Sequence, residues 1–138
     1  MSSPETTIEP FYVVDTHALI WFLLSDKKLG RNAIAVFDAA QQNQTRLLVS
    51  AIVVAELYYA NAKNWWFPDF PALYADLIDK PYFRFLPLTH AHIADFMLDT
   101  AVPEMHDRII VGVARRYKAP LVTSDPLIVA SGLVKTVW

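Results

Sequence analysis

Four short apolar runs divide this chain of 138 residues: Phe11 to Val14, Leu47 to Val49, Phe83 to Leu88 and Leu121 to Thr123. They lack the apolar–polar alternation of a strand with one wet face, so they suit strands covered on both sides, as in a parallel sheet. Helix-periodic segments lie between them. Ile34, Phe37 and Ala40 mark one that ends near Asn43, and Ser50 is an N-cap for another from Ala51 to about Lys63. Phe70, Leu73, Tyr74, Leu77 and Ile78 form a one-faced stripe that Pro81 stops. Thr89 caps a helix carrying Ile93, Phe96 and Met97, and Asp107 opens one that runs through Tyr117 to the break at Pro120. This alternation predicts a three-layer α/β/α domain with a mostly parallel central sheet. Functional sites of such folds gather at the carboxyl ends of the strands.

At 15.7 kDa the chain fits one domain, read here as residues 11–138, behind a polar, proline-containing tail of residues 1–10. The 54% hydrophobic content excludes general disorder, and the surplus of aromatic residues favours a partner or second copy covering part of the surface. A net charge of −2 gives no global basic field for nucleic acid or membrane. Cysteine is absent, which excludes disulfides, thiolate metal sites and cysteine nucleophiles and suits a reducing compartment. The longest apolar run, Ala18 to Leu24, is far too short to span a membrane, and the start lacks a signal-peptide pattern. A cytoplasmic location without membrane contact is expected. Three glycines leave no phosphate-cradling loop of the P-loop or Rossmann kind.

Four carboxylates fall at element junctions. Asp15 follows the first strand directly, Asp125 follows the last, Asp107 stands at a helix start, and Glu56 lies two turns into the helix after Ser50. Each has an ordinary reading of its own. Asp15 caps the helix from Thr16 to Leu23, Asp107 is a cap or first-turn acid, and Asp125 before Pro126 is a loop-to-helix acid. Glu56 shares a helix with Lys63 and fits an exposed face, although Ile52, Val53 and Ala60 surround it. As a set, however, four carboxylates at one sheet edge repel, and the only nearby cation in sequence is Arg108. A hard divalent cation resolves this, and all-oxygen ligation points to Mg²⁺ or Mn²⁺. With these four set aside from the 14 acids, ten remain against 12 basic residues, so an acidic pocket sits in a mildly basic body. That suits metal-assisted cleavage of a phosphodiester. If the acids form such a cage, Asp15→Asn and Asp125→Asn leave the metal-free protein as stable or more so. A large loss marks them instead as caps or ion-pair partners.

The ordered segments Val13 to Trp21, Val49-Ser50 with Glu56, His106 to Ile110, and Leu121 to Asp125 resemble the PIN-domain ribonucleases, and within them the VapC-type toxins of toxin–antitoxin pairs. The likeness runs from about Phe11 to Trp138 in the family's order. It implies that Asp15, Glu56, Asp107 and Asp125 hold Mg²⁺ or Mn²⁺ for hydrolysis of an RNA phosphodiester. It further implies that the Thr123 hydroxyl orients this site, with Thr16 following the first acid as family members often show. His17 stands where many relatives carry Asn or Ser. The implied partners are RNA, a cognate antitoxin and a second copy of the chain.

Several other residues need placing. Arg108, Arg115 and Arg116 are candidates for RNA-phosphate contacts or for a solvated helix face. His90 and His92 do not share a helix face, and His106 positions the loop before Asp107. Trp65-Trp66-Phe67-Pro68 is either a core plug or linker, or an aromatic clasp for a partner. Competing classes are a non-catalytic PIN scaffold and a receiver- or phosphatase-like acidic site. The latter want a second acid two residues after Asp15 or a Lys after the late strand, and His17 and the residues after Thr123 supply neither.

Overall fold

Val13 and Val14, Leu47 and Leu48, and Leu121 and Val122 are adjacent pairs in which both members are buried. Successive strand residues point to opposite faces, so the strands that carry them are covered on both sides. The computed structural model describes residues 7–138 and shows that sheet. Strands β1 (Phe11–Val14), β2 (Arg46–Ser50), β3 (Phe83–Leu86), β4 (Leu121–Val122) and β5 (Thr136–Val137) lie in the order β3-β2-β1-β4-β5, every pair parallel. Val13 stands in register with Leu48 on one side and Leu121 on the other. The connections are α1 (Thr16–Leu23), α2 (Arg31–Gln41), α3 (Ala51–Asn64), α4 (Phe70–Asp79), α5 (His90–Ala94), a 3₁₀ turn (Asp95–Asp99), α6 (Met105–Tyr117) and α7 (Pro126–Ser131). The result is the expected three-layer α/β/α architecture, with the sheet wholly parallel.

Differences from the sequence reading have local causes. β3 stops at Leu86, two residues short of expectation, because Pro87 has no N–H to extend the ladder. β5 is only two residues long and gives no apolar run to detect. In α2 the core face is Ala33, Val36, Phe37 and Ala40, while Ile34 is 45% exposed. The α4 stripe is only partly used: Leu77 is buried, but Tyr74 and Ile78 are nearly half exposed. Ile93 and Met97 also face solvent, Met97 by 85%, because the helix capped at Thr89 ends at Ala94 and tightens into the 3₁₀ turn. The residue buried from that turn is Asp99, fully enclosed and bound through both oxygens by the Arg115 guanidinium.

Both ends of the described residues are tied down by hydrogen bonds. Of the tail expected over residues 1–10, residues 1–6 lie outside the described part. Beyond them, the Glu9 N–H donates to the Tyr12 hydroxyl at 3.1 Å and the Thr45 hydroxyl donates to the Glu9 carbonyl at 2.7 Å. At the other end, the Trp138 carbonyl oxygen accepts from the N–H groups of Asn32 (3.0 Å) and Ala33 (3.1 Å). It thereby satisfies the first turn of α2, whose N-cap, Gly30, offers no side chain. A Cβ on Gly30 would stand 2.2 Å from that oxygen. Gly30→Ala is therefore expected to cost about 1–3 kcal/mol in a urea unfolding experiment by forcing Trp138 off α2. In a chain lacking Trp138 the same substitution should cost almost nothing, and equal costs in both backgrounds would contradict the contact.

Candidate active site

β1 and β4 are neighbours in the sheet but distant in sequence, so the chain changes direction between them and leaves a crevice at their carboxyl ends. Asp15 is the residue after β1 and Asp125 the third after β4. Each is a helix cap. The Asp15 Oδ1 accepts from the Ala18 N–H at 2.8 Å, and the Asp125 Oδ1 accepts from Leu127 and Ile128 at 2.9 and 3.1 Å. The capping and cleft readings are thus compatible, since one oxygen suffices to cap and a carboxylate has two. Glu56 joins them from α3 and accepts the Thr16 hydroxyl at 2.6 Å through Oε1. Asp107 joins from the first turn of α6.

All four predicted acids line one cleft of about 330 Å³, together with Thr16, His17, Ile20, Ala60, Glu104 and Ile110. No Lys or Arg is among these lining residues. Thr123 is fully buried beneath it, and its hydroxyl accepts the Asp125 N–H at 3.1 Å. Glu104, absent from the predicted set, is a fifth carboxylate. Its Oε2 accepts the Asp107 N–H at 2.8 Å, capping α6, and its Oε1 holds the His106 Nδ1 at 2.8 Å. His106 also stands 3.7 Å from the Glu56 Oε2. The only sequence signal for Glu104 was its place three residues before Asp107, the spacing of an N-cap to its N3 residue.

The electrostatics record the crowding. Burial raises the Asp15 carboxyl above its usual range, against hydrogen bonds from Thr123 and Ala18 that lower it. The Asp107 carboxyl is pushed up to about 6, first by desolvation and then by the charges of Asp125, Glu104, Glu56 and Asp15. Among the described residues, no three Asp, Glu or His side chains close tightly enough on one point to hold an ion as they stand. An all-oxygen donor set, no lining cation and an Asp107 pushed up by its neighbours fit a hard divalent cation.

The three candidate RNA-contacting arginines do not come to the cleft. Arg115 is committed to Asp99, with Nη1 to Oδ2 at 2.8 Å. Arg116 Nε bonds Asp95 at 2.6 Å and its Nη2 donates to the Ala91 carbonyl, while Arg108 Nε donates to the Val102 carbonyl. Trp65 is no core plug. It ends α3 in the left-handed conformation at φ 55°, 75% exposed, while the buried Asn61 amide brackets the Phe67 backbone with two 2.8 Å bonds.

Two stability outcomes follow. The folded Asp107 binds its proton up to about pH 6 while the unfolded chain releases it near 4, so the metal-free fold loses stability as pH rises through that window. Asp107→Asn should remove this fall and gain about 1 kcal/mol at pH 7, a figure discounted for its half-buried position. Asp99→Ala should instead cost about 2–3 kcal/mol by leaving Arg115 unpaired. Urea unfolding at pH 4.5 and 7 checks both, and equal losses from the two substitutions would contradict the distinction.

A family model for the PIN domain matches residues 12–129. No curated protein sequence matches the chain. Among solved structures, VapBC2 from Rickettsia felis, bound to a DNA fragment from its promoter, aligns with TM-score 0.69 at 14% identity, covering 91% of this chain and 96% of that one. VapC20 from Mycobacterium tuberculosis, a toxin that cleaves the sarcin-ricin loop, aligns with TM-score 0.69 at 14% identity over 92% and 99%. FitAcB from Neisseria gonorrhoeae gives 0.65 at 19% over 91% and 95%. Identities this low speak for the fold, which these proteins share with the present chain. The family itself is shown by the match over most of the sequence: this chain belongs to the PIN-domain family.

Proposed function

We propose that the protein is a metal-dependent endoribonuclease of the VapC toxin type, with the cleft of Asp15, Glu56, Asp107 and Asp125 as its active site. The observation that carries this reading is the gathering of four acids, plus Glu104, on one cleft without a lining Lys or Arg. Mg²⁺ or Mn²⁺ bound there would supply a Lewis acid to activate water and to neutralise charge on the phosphate. Asp15, Asp107 and Asp125, with Glu56, are the residues to hold it. The chain's other groups fix these donors in advance. Thr123 holds the Asp125 backbone, Thr16 holds one Glu56 oxygen, and Glu104 pins the Asp107 backbone. RNA as substrate rests on the likeness to the PIN-domain ribonucleases of the VapC type, among which VapC20 is a sarcin-ricin loop cleaving toxin.

The same reading gives the protein a cognate antitoxin and a second copy as partners. Tyr58, Tyr59, Trp65, Tyr74 and Ile78, all 43% exposed or more on α3, its C-cap and α4, support a protein partner on that flank. No helix among the described residues is long and apolar enough to cross a membrane. A cytoplasmic place is the one that suits a nuclease acting on cellular RNA.

The test is cleavage of a mixed RNA pool by protein freed of any antitoxin, with Mg²⁺ or Mn²⁺, against EDTA and Asp107→Asn. Metal-dependent cutting should fall by about 10²-fold or more in the variant. No cutting with any metal would overturn the nuclease in favour of a binding scaffold.

A further inference from the structure

The proposed nuclease has a problem of its own making: its cleft is acidic and its substrate is a polyanion. With Arg108, Arg115 and Arg116 bonded to Val102, Asp99 and Asp95 and none of them lining the cleft, the attraction for RNA must come from elsewhere on the surface. One group of described basic residues is reached from the cleft wall along α1. His17 lines the cleft wall and is exposed, and its ring lies 5.4 Å from that of Trp21, one turn further along α1. Trp21 meets Trp138 edge-on at 5.6 Å, and the Lys28 Nζ stands 5.6 Å from the Trp21 ring centre. Lys27 and Arg31 flank Lys28, all three are exposed, and Asp26 is the one acid in the segment from Leu24 to Phe37.

This group is built rather than incidental. The Asp26 N–H bonds the Trp21 carbonyl at 2.8 Å, and the Asp26 Oδ1 accepts the Lys28 N–H at 2.8 Å, so the turn after α1 holds Lys28 over the indole. Trp138 is held in turn by the N–H groups of Asn32 and Ala33. Cations interleaved with aromatic rings are the chemistry that takes single-stranded nucleic acid, with cations for the phosphates and rings for the bases. The rings run outward from the cleft, so a strand whose scissile phosphate sits among the acids has its flanking nucleotides at this surface.

We propose that His17, Trp21, Trp138 and Lys28, with Lys27 and Arg31, form a binding track for single-stranded RNA leading into the cleft. This rests on the nuclease reading for its substrate, but it makes its own claim about binding. The probe is a fluorescein-labelled oligouridine followed by fluorescence anisotropy in EDTA, which withholds the metal that cutting requires. Lys28→Glu should weaken its binding about three- to tenfold and lower the slope of log K against log salt by about 0.7 or more. Lys28→Arg should bind as the native protein does. Lys118→Glu, at the amino end of β4 and so on the opposite sheet edge, controls for net charge and should change binding much less.

Unchanged binding in Lys28→Glu, or an equal loss in Lys118→Glu, would overturn the track. Lys28 is an exposed turn residue, so its variants fold, and Trp21→Phe gives an independent second change that should weaken binding without altering the salt slope. The two readings fail separately. A protein that binds through Lys28 but never cuts RNA with any metal keeps the track and loses the nuclease. One that cuts RNA while Lys28→Glu binds the probe normally keeps the nuclease and loses the track.

Discussion

Everything at the working end of this molecule depends on mutual repulsion among carboxylates at the crevice between β1 and β4. The fold imposes it. Parallel strands bring their carboxyl ends to one edge, and the break in strand order opens a space lined by residues of α1, α3 and α6 and by Asp125, the cap of α7. Asp15 and Asp125 use one oxygen each to cap a helix, so their positions are set by local backbone needs while their charge is delivered to the cleft. Asp107 shows both burial and crowding: desolvation first, and then the charges of its neighbours, push its carboxyl to about 6. On the proposed reading, the arrangement trades stability for the capacity to hold a cation.

The protein treats its charges differently away from that edge. Asp99 is as deeply buried as any residue, yet Arg115 meets both of its oxygens. Arg116 meets Asp95, and the Arg116 guanidinium holds the Asp95 carboxyl below its ordinary range. Acids outside the cleft are thus paired where burial demands it, and the cleft acids are left to one another. That contrast separates a structural ion pair from a functional cluster.

Much of this was legible in the sequence, for physical reasons. Strands covered on both faces must be continuous apolar runs, so β1, β2 and β4 announced themselves, whereas β3 is an edge strand with Arg84 exposed and was found from its apolar neighbours alone. A residue that ends a strand and starts a helix is fixed to the sheet edge, so Asp15 and Asp125 were placed without coordinates. What the sequence hid depends on contacts between distant segments. Nothing near Arg115 in sequence says that Asp99 will bind it from 16 residues away. Tyr74, Ile78 and Met97 have helical spacing but stay exposed, because periodicity reports that a face is apolar and not what covers it. The cap on α2 comes from Trp138, at the far end of the sequence from that helix.

The central claim is that the cleft acids repel in the absence of a cation and are reconciled by one. Thermal melting of the native protein and of Asp107→Asn, each in EDTA and in Mn²⁺, tests it most directly. In EDTA the variant should melt at or above the native protein. With Mn²⁺ the native protein should rise by mass action and the variant less, so that their order reverses. A native protein that is the more stable in EDTA and gains nothing from Mn²⁺ would contradict the account.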